Sequence, residues 1–299
     1  MSGAAAPDAP PHRAGVVAIV GLPNAGKSTL LNALLGEKLA IVTAKPQTTR
    51  SRILGIHTLP HAQILFLDTP GLVRGARPLD QALAAQIDHA LRDCDVAILL
   101  VDLCAGWREE HAALRERLAR QGTPVLVVGS KADRPGADAL PWPPPGVAAA
   151  DALRISAQRG EGLGALVDAL TERLPIAPRL YPEDELSDRP LRFLAAELVR
   201  EAAFEELAQE LPYVLAVEVV SFDESRASCV HIRANLLVER QSQRGIVIGR
   251  GGAMIRKIGT RARAGIEALL GRHVHLELRV EVEPRWTRRP TRFRQLGYF

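Results

Sequence analysis

The chain has 299 residues, 47% hydrophobic and 24% charged, with a formal net charge of +4, a composition that fits a soluble protein of two ordinary domains and excludes disorder throughout. No apolar run approaches the roughly 20 residues of a membrane span, and the opening MSGAAAPDAPPHRAG lacks the apolar core of a secretory signal. From Arg240 onward fourteen Arg and Lys face four Asp and Glu, a local charge of +10 against −6 for all that precedes it, so a polyanion partner is expected for that region alone.

Residues 1–13 read as a disordered tail. Over 14–175, the apolar runs VVAIVGL, ILFLDT, VAILLVDL and PVLVVGS alternate with the helical patterns STLLNALLG, LDQALAAQIDHALRD, EEHAALRERLARQG and EGLGALVDALTERL. Strands separated by helices predict an α/β domain with a doubly wound, mostly parallel sheet. Within it, RPGADALPWPPPGV reads as a surface loop. Residues 176–190, rich in proline and without period, read as an interdomain linker. Over 191–284 the pattern gives a helix (LRFLAAELVREAAFEELAQ), two strands (YVLAVEVVSF and SCVHIRANLLVE), a β-branched run read as strand ahead of a glycine turn, a helix (AMIRKIGTRARAGIEALLG) and a strand (HVHLELRVEVE). This is a second, α+β domain. Residues 285–299 read as a basic tail. Cys94, Cys104 and Cys229 form neither a C-x-x-C pair nor a zinc spacing, which suits a reducing compartment.

GLPNAGKST, Gly21 to Thr29, fits G-x-x-x-x-G-K-[ST] between a strand and a helix. Its backbone N–H groups, from Asn24, Ala25 and Gly26 into Lys27, Ser28 and Thr29, are expected to face phosphate oxygens; Lys27 adds charge, and the Ser28 hydroxyl reaches Mg²⁺. In DTPG, Asp68 to Gly71, the carboxylate holds Mg²⁺ through water and the Gly71 N–H senses a γ-phosphate. SKAD (Ser130 to Asp133) and ISAQ (Ile155 to Gln158) close later strands, so all four segments gather at C-terminal strand ends, where open sheets bind ligands. Asp133 can accept both ring N–H and amino protons of guanine, Lys131 can lie along the base, and Ser156 and Ala157 complete the base end of the site. These assignments, with GTP or GDP as ligand, resemble those of the GTPase superfamily. One residue departs from its motif: Ser130 stands where asparagine is usual, and a hydroxyl, shorter than an amide, cannot perform both of that side chain's tasks, reaching the purine and tying the phosphate loop to the strand end.

For hydrolysis, Thr49, with Thr48 as the lesser candidate, lies in LAIVTAKPQTTRSRILGIHT and is expected to join Mg²⁺ when the γ-phosphate is present. The catalytic set is then Lys27, Thr49, Asp68 and Gly71. Where GTPases of the Ras type carry a water-orienting glutamine, this chain has Leu72, which cannot hydrogen-bond water, so hydrolysis is expected to be slow unless other electrostatics help. Asn24 is the candidate for that help. In GTPases that share the hydrophobic replacement and the phosphate-loop asparagine, this side chain helps hold K⁺.

IVIGRGGAMIRKIG, residues 246–259, contains a second glycine loop, Gly249, Arg250, Gly251 and Gly252, without a GK[ST] ending. Such a G-x-x-G turn at a helix start suits the backbone of a single-stranded nucleic acid, with Arg256 and Lys257 on the following helix and Arg285, Arg288 and Arg289, with Arg292 and Arg294, in the tail as further contacts.

A GTPase domain containing KPQTTR, DTPG and S-A-x-x-G, followed by ELPY, VERQSQRGIVIGRGGAMIRKIG, VHLELRVEVEPRW and LGY, resembles the Era family of ribosome-assembly GTPases over about 95% of the chain. The resemblance implies a type II KH domain, binding near the 3′ end of small-subunit ribosomal RNA, assistance to late 30S maturation, and a cytoplasmic monomer whose RNA binding is switched by GTP. Some members also associate with the inner membrane surface, although no amphipathic anchor is evident here. The alternative is an RNA-binding assembly protein with a vestigial nucleotide site.

Overall fold

A computed structural model of the chain describes residues 11–43, 45, 48–71 and 78–298. Leu72 and the first ten residues of the expected tail lie outside them. Arg13, assigned to that tail, instead opens strand β1 (Arg13–Gly21).

The first domain continues with α1 (Lys27–Leu35), β2 (Ile53–Thr58), β3 (Ala62–Asp68), α2 (Pro78–Arg92), β4 (Val96–Asp102), α3 (Glu109–Arg120), β5 (Val125–Ser130), β6 (Ala152–Arg154) and α4 (Leu163–Arg173). Its sheet runs β2-β3-β1-β4-β5-β6, parallel except for the β2/β3 pair. Val17, Ile19, Ile98, Leu100 and Val128 are fully buried, because helices cover both faces of the central strands, and this explains their continuous apolar runs. ILGIHT, not resolved as a strand by its pattern, pairs antiparallel with β3 at the sheet edge.

The 176–190 segment is a strap across that edge as well as a connection. Ile56 N–H donates to Leu186 O at 2.9 Å, the Ser187 hydroxyl to Leu54 O at 2.7 Å, and the Gln63 carbonyl oxygen accepts from Leu180 and Tyr181 N–H at 2.8 and 2.9 Å. Backbone groups of an edge strand that would otherwise invite pairing are thereby occupied.

The second domain comprises α5 (Leu191–Glu206), α6 (Leu211–Val214), β7 (Ala216–Asp223), β8 (Cys229–Val238), α7 (Gln241–Ile248), α8 (Ala253–Leu270) and β9 (His273–Val282). Strand β8 is central, antiparallel to β7 and parallel to β9. Alternate residues Val230, Ile232, Ala234 and Leu236 pack beneath α5 and α8 in one core. The run before the glycine turn was expected to be a strand, and the structure corrects this to helix α7. Val247 and Gln243, one turn apart, point inward, and the Gln243 side chain accepts the Glu239 and Arg240 N–H groups at 3.0 and 2.9 Å. Capping and burial override the β preference of Ile-Val-Ile.

The expected basic tail is also corrected: it is folded. A turn at Trp286–Arg288 and helix α9 (Pro290–Gln295) bury Trp286, Phe293 and Tyr298 against Leu79 and Leu83 of α2. Three aromatic side chains within thirteen residues supply enough apolar area to hold an arginine-rich segment down.

Candidate nucleotide site and nucleic-acid interface

A cavity of about 420 Å³ opens at the C-terminal ends of the parallel strands. Lys27, Ser28 and Thr29 form one wall with Asn24 and Gly26 of the phosphate loop, and Thr49 and Gly71 approach from the side. Ser130, Lys131, Asp133 and Ala157 line the far end. Ala25, Asp68 and Ser156 are buried. Gly71 is required by packing: a Cβ there would lie 2.9 Å from the Pro23 Cα, so the phosphate loop and the DTPG turn close on each other only without a side chain.

Three oxygens converge beside Lys27. The Ser28 hydroxyl donates to Asp68 Oδ2 at 2.7 Å and lies 2.9 Å from the Thr49 hydroxyl, which is 3.4 Å from the same carboxylate oxygen. Asp68 Oδ1 is buried without a hydrogen-bond partner. Two hydroxyls and a carboxylate with one unspent oxygen are a hard-cation donor set, and they fit Mg²⁺. Burial raises the Asp68 carboxyl to about 6, opposed by the Ser28 hydrogen bond, the Lys27 charge and the Thr49 hydrogen bond. Burial likewise lowers the Lys27 ammonium to about 8, with Asp68 pulling the other way. A divalent cation against Asp68 and phosphate against Lys27 each favour the charged form.

At the base end, Asp133 accepts a 2.6 Å hydrogen bond from the Ser156 hydroxyl, which holds its carboxyl below the usual range and keeps the second oxygen for a ligand. Lys131, with φ of 60°, reaches Asn24 O at 2.7 Å and Asp102 Oδ2 at 2.6 Å. Asp102 was absent from the sequence-derived set, although its place at the end of β4 was the signal that could have found it. Asn24 is exposed at the cavity wall, also at positive φ.

The second glycine loop lies between two helices. A Cβ on Gly249 would meet Met254 N at 2.8 Å, so the turn needs glycine there. Gly251 and Gly252, at φ of 56° and 77°, face open space; their left-handed backbone delivers the chain into α8 while leaving a bare surface. Arg250 is exposed, Arg256 donates to Gly251 O at 2.7 Å, and Ile246 of α7 is 55% exposed beside the turn. Lys257 is engaged by Glu206 at 2.5 Å. In the C-terminal segment Arg285 and Arg288 are exposed, Arg289 pairs with Glu283, and Arg292 is gripped by Glu218 and Glu283 at 2.8 and 2.9 Å.

Comparison with known proteins agrees with both halves. A family model described as 50S ribosome-binding GTPase matches residues 16–131, and a KH domain model matches 210–287. The chain is 42% identical to GTPase Era of Geobacter metallireducens over 300 residues, covering 96% of this chain and 98% of that protein. The chain belongs to the Era family of GTPases.

GTPase Era of Pseudomonas aeruginosa is 44% identical over 292 residues, covering 96% and 95% of the two chains. Two solved Era structures superpose with a TM-score of 0.90 at 38% identity, over 96% of this chain and 99% of theirs. One is a variant of Aquifex aeolicus Era bound to GDP·AlF4⁻; the other is Era with MgGDPNP and nucleotides 1506–1542 of 16S ribosomal RNA. As an Era-type GTPase, the chain places its nucleotide pocket and KH glycine turn on separate domains. The contacts joining these domains, Arg50 foremost, were not foreseen from sequence.

Proposed function

We propose that this GTPase is a switch that binds the 3′ region of small-subunit ribosomal RNA through its KH domain and assists 30S maturation. The observation that carries the reading is the convergence of Ser28, Thr49 and Asp68 beside Lys27, in a chain that also presents a bare G-x-x-G turn. A site that admits the Thr49 hydroxyl as third metal ligand would distinguish GTP from GDP, because only a γ-phosphate would be bound by the metal and by Gly71 at once.

Lys27 would neutralise charge on the transferred phosphoryl group, and the N–H of Gly71 would donate to a γ-phosphate oxygen; the phosphate-loop N–H groups would hold the β-phosphate. Ser28, Thr49 and Asp68 would hold Mg²⁺, which screens the β and γ oxygens when bound. Asp133 would select guanine. Asn24 would support K⁺ beside the phosphates, so turnover should rise when K⁺ replaces Na⁺; equal rates remove that assignment. Keeping these groups on a GTPase-family scaffold counts against the vestigial-site alternative.

On the KH side, Gly251 and Gly252 admit a sugar-phosphate backbone, Arg250 and Arg256 answer its charge, and bases rest toward Ile246. The protein is read as a cytoplasmic monomer. Among the described residues no helix is long and apolar enough to cross a membrane; contact with the inner membrane would be peripheral, and vesicle co-sedimentation tests it.

The deciding experiment is binding of a fluorescent strand copied from the rRNA 3′ end, with GDP or a non-hydrolysable GTP analogue, beside a Gly251→Asp control. Tighter binding with the analogue, lost in the variant, is expected. RNA binding indifferent to nucleotide would leave a KH protein without a switch.

A further inference from the structure

Thr49 and Arg50 are consecutive residues that serve different domains. The Thr49 hydroxyl stands with Ser28 and Asp68 at the metal-ligand cluster, whereas the Arg50 side chain enters the KH half and is 2% exposed. Its guanidinium donates to Leu215 O at 2.7 Å, Tyr213 O at 2.8 Å and Pro212 O at 3.0 Å. Its Cζ also lies 5.6, 6.0 and 5.8 Å from the ring centroids of Phe204, Trp286 and Tyr298. Phe204 belongs to α5, while Trp286 and Tyr298 come from the C-terminal segment, so three separate stretches build one receptacle.

A buried guanidinium is costly unless its donors are satisfied. Here a planar fork meets three carbonyls and three rings, a match that the single donor point of lysine cannot reproduce. The receptacle also fixes more than the side chain. Gln86 of α2 donates from its side chain to Arg50 O at 3.3 Å and also to Tyr298 O, and the Ser51 hydroxyl donates to Gly297 O at 3.0 Å. Upstream, Val42 N–H donates to Glu201 Oε1 of α5 at 2.8 Å, and Lys45 reaches the carbonyls of Phe204 and Leu207. Val42 and Lys45 before Thr49, and Arg50 and Ser51 after it, are therefore held by the KH half and the C-terminal segment.

We propose that Arg50 is a positioning residue for GTP hydrolysis: seated in a carbonyl-and-aromatic receptacle formed by the KH half, it places Thr49 at the Mg²⁺ site. The inference rests on the reading of Thr49 as a metal ligand. Its consequence is that the GTPase site is completed by the KH domain and C-terminal segment. Because binding linkages are reciprocal, whatever reshapes the receptacle alters the hold on Mg²⁺·GTP, and Mg²⁺·GTP alters the receptacle by the same free energy. A glue role for Arg50, joining two domains and nothing more, makes a different prediction: lowered stability with the metal requirement intact.

The test uses the full-length protein and its Arg50→Gln, Arg50→Lys, Tyr298→Leu and Thr49→Ala variants, measuring kcat, KM, GDP affinity, melting temperature and the Mg²⁺ concentration for half-maximal rate. For Arg50→Gln, kcat should fall roughly 10- to 100-fold, as misplacement of a reacting group by an ångström does, and the half-maximal Mg²⁺ concentration should rise severalfold, with GDP affinity within about twofold of wild type. Arg50→Lys should recover part of kcat. Tyr298→Leu, in the KH half, should shift the Mg²⁺ requirement in the same direction, and it keeps the idea testable if Arg50→Gln does not fold. Variants that melt earlier yet hydrolyse with wild-type kcat and Mg²⁺ requirement overturn the proposal. A Thr49→Ala protein with unaltered Mg²⁺ dependence overturns the reading of the metal site, and the proposal with it.

Discussion

The Ser130 hydroxyl donates to the Ala25 carbonyl oxygen at 2.7 Å, with Val101 O 3.2 Å away. Ser130 is 4% exposed, and its single proton is spent on fastening the phosphate loop to the end of β5. Of the two tasks that an asparagine would share, the serine performs the tie and leaves the purine to other groups. Ser130→Ala should therefore weaken GDP and GTP alike, by roughly 2- to 10-fold, the worth of one neutral hydrogen bond. Titration with a fluorescent guanine nucleotide measures it. Guanine selectivity should be unchanged in the variant, because Asp133 is held by Ser156 and not by Ser130; a variant in which ATP competes as well as GTP would contradict this.

Asp68 gives a pH dependence of definite sign. Its carboxyl is raised from 3.8 to about 6 by burial, so in the ligand-free fold its contribution to stability is fully present below about pH 4 and is lost as pH rises through about 6, a change on the order of 3 kcal/mol. With Asp68 holding Mg²⁺ as proposed, the metal needs the carboxylate, and its affinity should fall about tenfold per unit below pH 6. Thermal melts with and without Mg²⁺·GDP should show a ligand-induced gain that grows between about pH 5 and 7. Asp68→Asn should flatten that growth.

The C-terminal segment should behave as core. Trp286 is 0% exposed and donates its indole N–H to Val214 O at 2.9 Å, beside Leu83, Phe293 and Tyr298. Trp286→Ala should cost about 3–5 kcal/mol in urea denaturation, whereas truncation of an exposed tail costs next to nothing. A loss below about 1 kcal/mol would show that the segment is not docked in solution.

Arginines that look alike in sequence should differ in RNA binding. Arg292 is committed to Glu218 and Glu283, and Arg292→Ala should leave the salt dependence of RNA affinity unchanged. Arg250 is exposed within the glycine turn; Arg250→Ala should reduce the log–log salt slope by about 0.7, the loss of one phosphate contact on a single strand. Equal slopes for both variants would remove Arg250 from the interface.

The motifs that gather at the cavity were legible because each is local. A phosphate loop needs its glycines and lysine within nine consecutive residues, and DTPG, SKAD and ISAQ announce themselves at strand ends because parallel strands deliver their C-terminal ends to one edge. The G-x-x-G turn is equally local, being fixed by backbone conformation at Gly249, Gly251 and Gly252. The helix at 241–248 was not legible, since Ile-Val-Ile suits a strand until Val247 and Gln243 find a core to enter. Nor could the sequence separate Arg292 from Arg288, because Glu218, brought up by the fold from 74 residues away, joins Glu283 in deciding which guanidinium is spent. Arg50 is the clearest case. Sequence placed it beside Thr49; only the folded chain brought together Phe204, Pro212, Tyr213, Leu215, Trp286 and Tyr298 around it. Short-range backbone geometry can be read one segment at a time, whereas satisfying a buried charge needs partners that only tertiary contact supplies.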